Sequence, residues 1–495
     1  MNKETYLTEY PKHESMRENV KKDKNRLHFH MMPPTGWMND PNGLCEFQGV
    51  NHIYFQYTPF LAGWGTKLWG HYTTKDWIHY KEEEPFLYPD EEWDRDGVYS
   101  GSAYTCEDGI HYFYTGNVKL WDKDYDYIMN GREQNTIHVF SPDGKDIAYK
   151  KLVMTNDDYP VNMSKHVRDP KIYKKDGRYY MIQGGRDAES YGCALLFCSD
   201  DLEHWKWYDT VRTAKPFGYM WECPNLLQFG RYDVLLFCPQ GLPARSFDRQ
   251  NLYQAGYIAG HLSLDSLDMV QHTKFQELDH GFDFYAPQAF EHEGRHILIG
   301  WMGMPDRDDE YPSREKNWQY SLTMPRELRL RQGHIYSRPV REMRDLRVEE
   351  SAIELERTNV RKLVQPLFQG SEILLNIKLG QARKVVLTLA FGLEELVFAY
   401  DCDEQVMTID RNGMHKGGRG IRQFKLFADT QVSLELFVDR SAIEAFFQHG
   451  EEAASLLVFP EKNIQPELRL TASEPLAQVT GNVWSLDAFK YQSER

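Results

Sequence analysis

A short pattern recurs five times between residues 27 and 336 and constrains the fold more than any other feature of the chain. Each copy has a polar, turn-like triplet, a short gap and then an aromatic-rich segment with strand character. The triplets are Asn39-Asp40-Pro41, Tyr99-Ser100-Gly101, Arg168-Asp169-Pro170, Glu222-Cys223-Pro224 and Tyr285-Ala286-Pro287. Their reference positions 40, 100, 169, 222 and 285 are spaced by 60, 69, 53 and 63 residues. Repeated four-stranded units at such a period predict a five-bladed β-propeller.

The repeat also predicts where polar side chains meet. In a propeller the innermost strands of all blades line one central axis, so corresponding residues of successive blades converge at one end of the channel. We therefore expect Asp40, Asp169 and Glu222, which are far apart in sequence, to face one another across a pocket.

The stretch 37–43, Trp-Met-Asn-Asp-Pro-Asn-Gly, predicts a tight turn that presents Asp40 outward, next to Trp37 as an aromatic platform. Backbone amides of such a turn favour an ionised carboxylate, which suits a nucleophile. Taken alone, Asp-Pro-Asn-Gly is more typical of an ordinary polar turn. Its recurrence in other copies is what favours a functional interpretation.

The chain divides into four predicted parts. Residues 1–26 form a polar extension with a helix after Pro11, at 14–24, and residues 27–336 form the five-bladed β-propeller. Residues 337–350 form a charged linker. Residues 351–495 contain strands with two-residue alternation, such as 385–389 and 396–400, and predict a C-terminal β-sandwich. The fold class is therefore predicted to be all-β.

Composition excludes several classes of function. The net charge of −16 argues against nucleic acid or an anionic membrane as a partner. No run of about 18 apolar residues is present, and the charged stretch 1–26 lacks an apolar signal core, so a cytoplasmic protein is predicted. Seven scattered cysteines without a Cys-x-x-Cys motif argue against disulfides and a zinc site.

Three converging carboxylates indicate chemistry on a glycosidic bond, which needs a nucleophile and an acid that protonates the leaving oxygen. Glu222 has apolar neighbours in sequence, which favour its protonated form and suit the acid. Asp169, beside Arg168, is expected to stay ionised and to bind sugar hydroxyls. A purely structural ion pair between Arg168 and Asp169 is the alternative.

These motifs resemble glycoside hydrolase family 32, the β-fructofuranosidases, from about His28 onward. The resemblance is carried by 37–43, 99–102, 168–170, 221–224, 282–288 and 323–328. It implies a propeller followed by a sandwich, a retaining mechanism, and neither a metal nor a cofactor. By this resemblance Asp40 is the nucleophile, Asp169 the transition-state stabiliser and Glu222 the acid/base. The implied substrate-binding residues are Trp37, Asn39, Gln56, Trp64, Tyr99, Ser100, Arg168 and Tyr285, with Trp301 as a further candidate.

The resemblance implies sucrose 6-phosphate or sucrose as the small-molecule substrate. An exo-acting fructanase on inulin- or levan-type oligomers, or a fructosyltransferase, has the same catalytic residues and remains an alternative. A sugar-binding propeller without catalysis is an alternative from another class. Both a monomer and a homodimer are compatible with exposed sandwich edges. Basic residues expected near a phosphate are Lys67, Lys165, His166, Lys215 and Arg245.

Overall fold

The computed structural model describes residues 1–121, 126–262, 269–270, 272–307, 311–356, 362–462 and 464–493. Two helices open the chain, α1 at Lys3–Glu9 and α2 at Glu14–Lys22, and α2 confirms the helix expected after Pro11. Short 3₁₀ helices occupy Tyr10–His13, Asn156–Asp158, Pro312–Lys316, Arg341–Leu346 and Gln448–Gly450. No helix in these ranges is long and apolar enough to cross a membrane. Strands make up most of the remainder, so the prediction of an all-β fold is confirmed.

Five sheets follow one another along the first two thirds of the described chain. The first contains β1 (Gly36–Phe47), β2 (Val50–Thr58), β3 (Leu68–Thr74) and β4 (His79–Glu82). The second contains β5 (Val98–Cys106), β6 (Gly109–Lys119), β7 (Arg132–Ser141) and β8 (Tyr149–Met154), and the third β9 (Met163–Lys175), β10 (Arg178–Asp187), β11 (Gly192–Ser199) and β12 (Lys206–Val211). The fourth contains β13 (Met220–Phe229), β14 (Tyr232–Gln240), β15 (Gly256–Leu262), β16 (Met269–Val270) and β17 (Gln276–Glu277).

The fifth sheet contains β18 (Tyr285–His292), β19 (Arg295–Met302), β21 (Ser321–Leu322), β22 (Arg326–Arg331) and β23 (His334–Pro339), while β20 (Trp318–Gln319) pairs in parallel with β1. The first strands of the five sheets contact one another in a closed ring, in the order β1, β5, β9, β13, β18 and back to β1. Because sheets pack against both faces, strands such as β2 are buried along nearly their whole length. The ring brings one end of each first strand to a common centre.

Two six-stranded sheets follow. One has the order β24 (Arg347–Glu356), β35 (Gln478–Leu486), β26 (Ser371–Lys378), β31 (Gln431–Val438), β32 (Ala442–Phe447) and β33 (Glu452–Leu457). The other has the order β25 (Lys362–Pro366), β34 (Glu467–Ala472), β27 (Lys384–Phe391), β28 (Glu394–Asp401), β29 (Val406–Gly413) and β30 (Ile421–Lys425). Burial alternates residue by residue along β28, because one face of its sheet is packed against the other sheet. Their facing side chains form one hydrophobic core.

The last strand, β36 (Lys490–Ser493), leaves this pair of sheets and joins the first sheet. It pairs in parallel with β4, with Lys490 opposite His79. The first sheet therefore has the order β20, β1, β2, β3, β4, β36. Segments distant in sequence cover both of its edges, and the sequence pattern did not predict either pairing.

A buried charge network connects the N-terminal part of the chain to the C-terminal sheet that contains β31 and β32. His30 lies between Asp439 and Glu444, with each of its ring nitrogens 3.0 Å from a carboxylate oxygen. Arg326 binds Glu444 and also Asp279, the latter at 3.0 Å. All five side chains are buried, and each of them directly contacts a side chain of opposite charge. These contacts offset the cost of removing the charges from water. We call these five residues the interface network.

The polar triplets do not form turns, which corrects the prediction made for 37–43. Asp40 lies inside the continuous strand β1, and Asp169, Glu222 and Tyr285 lie in β9, β13 and β18. Each first strand instead shifts register against its neighbour at the triplet. Such bulges redirect side chains near the end of a strand. The Asn, Pro and Gly residues of 37–43 therefore mark a bulge within a strand and not a turn between strands.

Candidate active site

The centre of the ring holds a pocket of about 360 Å³, within the size range of small-molecule sites. All three predicted carboxylates, Asp40, Asp169 and Glu222, line it. They come from three different sheets, so the ring of first strands is what brings them together.

Asp40 is held by side chains and not by the turn amides expected from sequence. Ser100 Oγ donates to its Oδ2 at 2.6 Å and Asn39 Nδ2 donates to its Oδ1 at 3.0 Å. Burial raises the pKa of Asp40, while these two hydrogen bonds lower it and the nearby charge of Glu222 raises it further. The net direction is upward, so the expectation of a readily ionised Asp40 is corrected.

Asp169 also differs from expectation. Its backbone is left-handed, with φ of 61°, and its Oδ2 accepts a hydrogen bond from the Cys223 amide at 2.9 Å. Burial raises the pKa of Asp169 to about 7, against the lowering effect of Arg168 and with the help of Glu222. Arg168 does not form its ion pair with Asp169, so the structural pair considered as an alternative is absent.

Arg168 pairs with Glu222 instead. Its Nε and Nη2 donate to Glu222 Oε1 at 3.1 and 2.5 Å. The other oxygen, Oε2, accepts hydrogen bonds from Gln240 at 2.6 Å and from the Tyr285 hydroxyl at 2.5 Å. The surroundings of Glu222 are therefore polar, in contrast to its apolar neighbours in sequence. Trp221 turns its ring away, and its Nε1 donates to Phe217 O at 2.7 Å.

The contacts also correct the alignment of the repeat. Asp169, Cys223 and Ala286 each precede a proline and each have positive φ, at 61°, 50° and 45°. These three residues therefore correspond to one another. Glu222 corresponds to the residue before Asp169, which is Arg168, and to Tyr285. Its hydrogen bonds to those two residues follow from this equivalence.

The polar side chains therefore form two groups of contacts. Cys223 joins the first group, since its amide donates to Asp169 and its Sγ lies 3.8 Å from Asp40 Oδ2. Glu222, Arg168 and Tyr285 form the second group. Of the three carboxylates, Glu222 alone pairs directly with an arginine of the described chain, and the charge of Glu222 helps to raise the pKa values of Asp40 and Asp169.

Most predicted substrate-binding residues line the pocket. They are Asn39, Gln56, Trp64, Tyr99, Ser100, Arg168 and Tyr285, together with Trp301. Trp64 is the exposed one, with 57% of its surface accessible. Trp37 differs from the prediction, because its ring is fully buried and does not line the pocket. Its Nε1 donates to Asn39 Oδ1 at 2.9 Å, so Trp37 orients the amide that binds Asp40.

The basic residues expected near a phosphate separate into two groups. Lys67 and His166 line the pocket, whereas Lys165, Lys215 and Arg245 do not. Two arginines that the sequence analysis missed, Arg132 and Arg186, line it as well. Neither belongs to a triplet, and no local pattern distinguishes them from other arginines. The further lining residues missed were Tyr127, Tyr219, Met220, Gln240, Tyr253 and Pro305.

Among the residues that the structure describes, two groups of side chains away from the pocket have ligand atoms close enough to share a metal ion. They are Cys106 with Asp108 and His111, and Glu394 with His415 and Glu461. Glu394 already accepts hydrogen bonds from the backbone amides of His415 and Glu461, at 3.0 and 2.7 Å. Its carboxylate therefore has a structural role in linking two loops.

Two family models match the chain. Residues 30–339 match the Glycosyl hydrolases family 32 N-terminal domain, and residues 342–485 match the Glycosyl hydrolases family 32 C terminal. The two matches meet at the 3₁₀ helix Arg341–Leu346.

Curated relatives match over most of their length. The chain is 35% identical over 453 residues to a sucrose-6-phosphate hydrolase of Bacillus subtilis, covering 88% of this chain and 90% of that protein. It is 34% identical over 461 residues to a raffinose invertase of Escherichia coli, covering 92% and 94%.

Solved structures match in the same way. A sucrose-6-phosphate hydrolase from Lactobacillus gasseri superimposes with a TM-score of 0.84 at 30% identity and covers 96% of each chain. A mutant β-fructofuranosidase of Bombyx mori in complex with sucrose superimposes with a TM-score of 0.86 at 27% identity, covering 99% of this chain and 100% of the other. On the family matches and these similarities, the chain belongs to glycosyl hydrolases family 32.

Proposed function

We propose that this enzyme hydrolyses the fructosyl bond of sucrose 6-phosphate and of sucrose, with retention of configuration. The single observation that carries the proposal is the pocket in which Asp40, Asp169 and Glu222 converge. Relatives named sucrose-6-phosphate hydrolase support the substrate. A protein that only binds sugar has no need of a nucleophile and an acid in one pocket, so the non-catalytic alternative is disfavoured.

The proposed architecture is a five-bladed β-propeller followed by a β-sandwich. The closed ring of five first strands supports the propeller, and the common core of the last two sheets supports the sandwich. The proposed boundary lies between residues 336 and 351. In this arrangement 27–336 carries the chemistry, and the C-terminal sheets stabilise it.

In the first step Asp40 attacks the anomeric carbon of the fructosyl group while the bond to the glucosyl oxygen breaks. Ser100 and Asn39 hold the carboxylate at fixed angles, and Trp37 holds Asn39. Glu222 donates its proton to the departing oxygen. A covalent fructosyl-enzyme results, and Glu222 is left ionised beside Arg168, which stabilises that charge.

In the second step a water molecule gives its proton to Glu222 and attacks the same carbon. This releases fructose and restores Asp40. Asp169 hydrogen-bonds sugar hydroxyls as positive charge develops on the ring. The mechanism requires that Glu222 hold a proton when the substrate binds and recover it in the second step.

Initial rates of fructose release from sucrose, sucrose 6-phosphate, kestose and inulin, measured side by side, test the proposal. We expect both disaccharides to be cleaved, with the lower KM for sucrose 6-phosphate. Faster cleavage of kestose or inulin than of either disaccharide would identify a fructanase. No fructose from any of the four sugars would overturn the proposal.

A further inference from the structure

The phosphate of sucrose 6-phosphate lies on the glucosyl part, which is the leaving group. A site for it therefore has to lie on the side of the pocket where Glu222 protonates the leaving oxygen. The overall charge of −16 repels a dianion, so local cations have to offset it. This requirement rests on the proposed function, and it directs attention to the neighbours of Glu222.

Two arginines lie on that side. Arg132 stacks on Tyr127 at 4.2 Å from the ring centre, and the Tyr127 carbonyl is 3.1 Å from His166 Nε2. His166 Nδ1 in turn lies 2.9 Å from Arg168 Nη1, and Arg168 binds Glu222. Arg132 is thus connected to the acid through one continuous set of contacts.

Arg186 lies near the end of β10, the strand that pairs with β9, which carries His166 and Arg168. It stacks on Tyr219 at 4.7 Å from the ring centre, and its Nη2 donates to Ser190 Oγ at 2.9 Å. Its backbone carbonyl accepts a hydrogen bond from Ser164 at 2.7 Å. Arg186 therefore lies on the same wall, with its guanidinium held by a ring and a hydroxyl.

Neither guanidinium forms an ion pair with a carboxylate of the described residues. Arg132 is only 3% exposed, and its Nε has no hydrogen-bond partner within the described parts of the chain. The Nε of Arg186 is likewise buried and without a partner there. Buried donors of this kind cost free energy unless something binds them, so they indicate a ligand. Other pocket cations are engaged, since Arg168 binds Glu222 and Lys67 donates to Thr58 Oγ1 at 3.2 Å.

His166 between them contributes no charge. Burial lowers its pKa to about 2, and the positive charges of Arg168, Arg132 and Arg186 lower it as well. The ring is therefore neutral at physiological pH, with Nδ1 accepting from Arg168 and Nε2 donating to Tyr127. The positive charge on this wall of the pocket therefore comes from its arginines and not from His166.

We propose that Arg132 and Arg186 bind the phosphate of sucrose 6-phosphate and so determine the preference for the phosphorylated sugar. Guanidinium groups offer paired donors that match phosphate oxygens. The two aromatic rings hold these groups in place before the substrate arrives, which reduces the entropy lost on binding.

The experiment compares sucrose 6-phosphate, sucrose and raffinose in Arg132→Gln, Arg186→Gln and the double variant. Raffinose carries a neutral galactosyl group on the glucosyl oxygen that bears the phosphate, so it separates charge from size. For each single variant we expect the ratio of kcat/KM for sucrose 6-phosphate to that for sucrose to fall about 10- to 100-fold, the range for hydrogen bonds to charged groups. The ratio for raffinose to sucrose stays unchanged.

Arg245→Gln is the matched control, because Arg245 is an exposed arginine near Asp248 and does not line the pocket. It is expected to leave both ratios unchanged. Arg132→Lys retains a charge without the paired donors, so it is expected to recover part of the preference, and it replaces Arg132→Gln should that variant fail to fold. Inhibition by glucose 6-phosphate relative to glucose is a second measure and is expected to weaken in parallel.

A wild-type enzyme that cleaves sucrose but gives equal KM values for both disaccharides would overturn this inference and leave the proposed function intact. Equal losses on sucrose and sucrose 6-phosphate in the arginine variants would show a structural role and would also overturn it. A wild-type enzyme that cleaves neither sugar would instead refute the proposed function.

Discussion

Two regions of the molecule bury carboxylates beside an arginine, with opposite electrostatic results. In the interface network, burial raises the pKa of Glu444, but Arg326 and His30 outweigh it and the net pKa is lowered. In the pocket, burial raises the pKa of Asp169 to about 7 despite Arg168. The difference lies in direct contacts, since each carboxylate of the interface network touches a cation, whereas in the pocket only Glu222 pairs with an arginine of the described residues.

The comparison teaches how one fold uses the same residue types for two purposes. Buried carboxylates that each contact a cation hold two parts of the chain in register. In the pocket, Asp169 lacks such a contact within the described chain and its pKa is raised to about 7, where a proton is readily exchanged. The pocket thereby gives up stability for reactivity, and the interface network does not.

The largest expected effect is a loss of catalytic activity when a carboxylate of the pocket is removed. Asp40→Asn removes the nucleophile, and we expect kcat on sucrose to fall on the order of 10⁴- to 10⁶-fold. Thermal unfolding is expected to occur at or above the wild-type temperature, because a carboxylate with a raised pKa is removed. Glu107→Gln, at an exposed carboxylate, serves as the control. Residual activity within tenfold of wild type would exclude Asp40 as nucleophile.

The next largest expected effect is a loss of stability when a cation of the interface network is removed. Arg326→Met leaves Glu444 and Asp279 buried without their cation, and we expect the free energy of unfolding to fall by about 3–5 kcal/mol. The kcat per folded molecule should stay close to wild type. Arg329→Met, on the same strand but exposed, is the control. Urea titration followed by fluorescence measures both variants, and equal small losses would show that the interface network contributes little.

The smallest expected effect is a change in how the stability of the fold depends on pH. The pKa of Asp169 is raised from 3.8 to about 7, so its ionisation destabilises the fold fully above pH 7 and not at all below the unfolded value near 3.8. Asp169→Asn should therefore be more stable than wild type at pH 8, by about 1–3 kcal/mol, and this gain should shrink as the pH falls towards 5.

Glu444→Gln is expected to change the stability of the fold in the opposite direction to Asp169→Asn. Because the pKa of Glu444 is lowered in the folded state, its ionisation stabilises the fold above the unfolded pKa and this contribution is lost at acid pH. That variant should be less stable than wild type at pH 8, with a gap that narrows in acid. Unfolding temperatures from pH 3 to 8 measure both, because the Glu444 contribution is lost only below the unfolded pKa of 4.5. Parallel curves for the two variants would refute the contrast.

The repeat in the sequence was informative because a ring of similar sheets sends equivalent positions to one point. That reasoning was sufficient to predict an all-β fold and to select Asp40, Asp169 and Glu222, which share a pocket. It misaligned Glu222 by one residue, because the side-chain direction depends on a bulge with positive φ before proline. The apolar neighbours of Glu222 in sequence also misled, since its spatial neighbours come from other sheets.

Other features had no local signal at all. Arg132 and Arg186 resemble any arginine in sequence, and only the assembled pocket shows that they lack a carboxylate partner in the described chain. Trp37 has the composition of a sugar platform, yet the packing of Tyr320 and Trp301 against it covers the ring. Such facts depend on contacts between distant segments, which a single sequence does not reveal.

The edges of the first sheet have a consequence for the timing of biosynthesis. Strand β1 carries Asp40, yet its outer neighbour β20 begins at Trp318 and the far edge strand β36 begins at Lys490. A ribosome releases the nucleophile early and the strands that complete its sheet hundreds of residues later. A nascent chain therefore holds Asp40 in an unfinished first sheet until both of these edge strands have been synthesised.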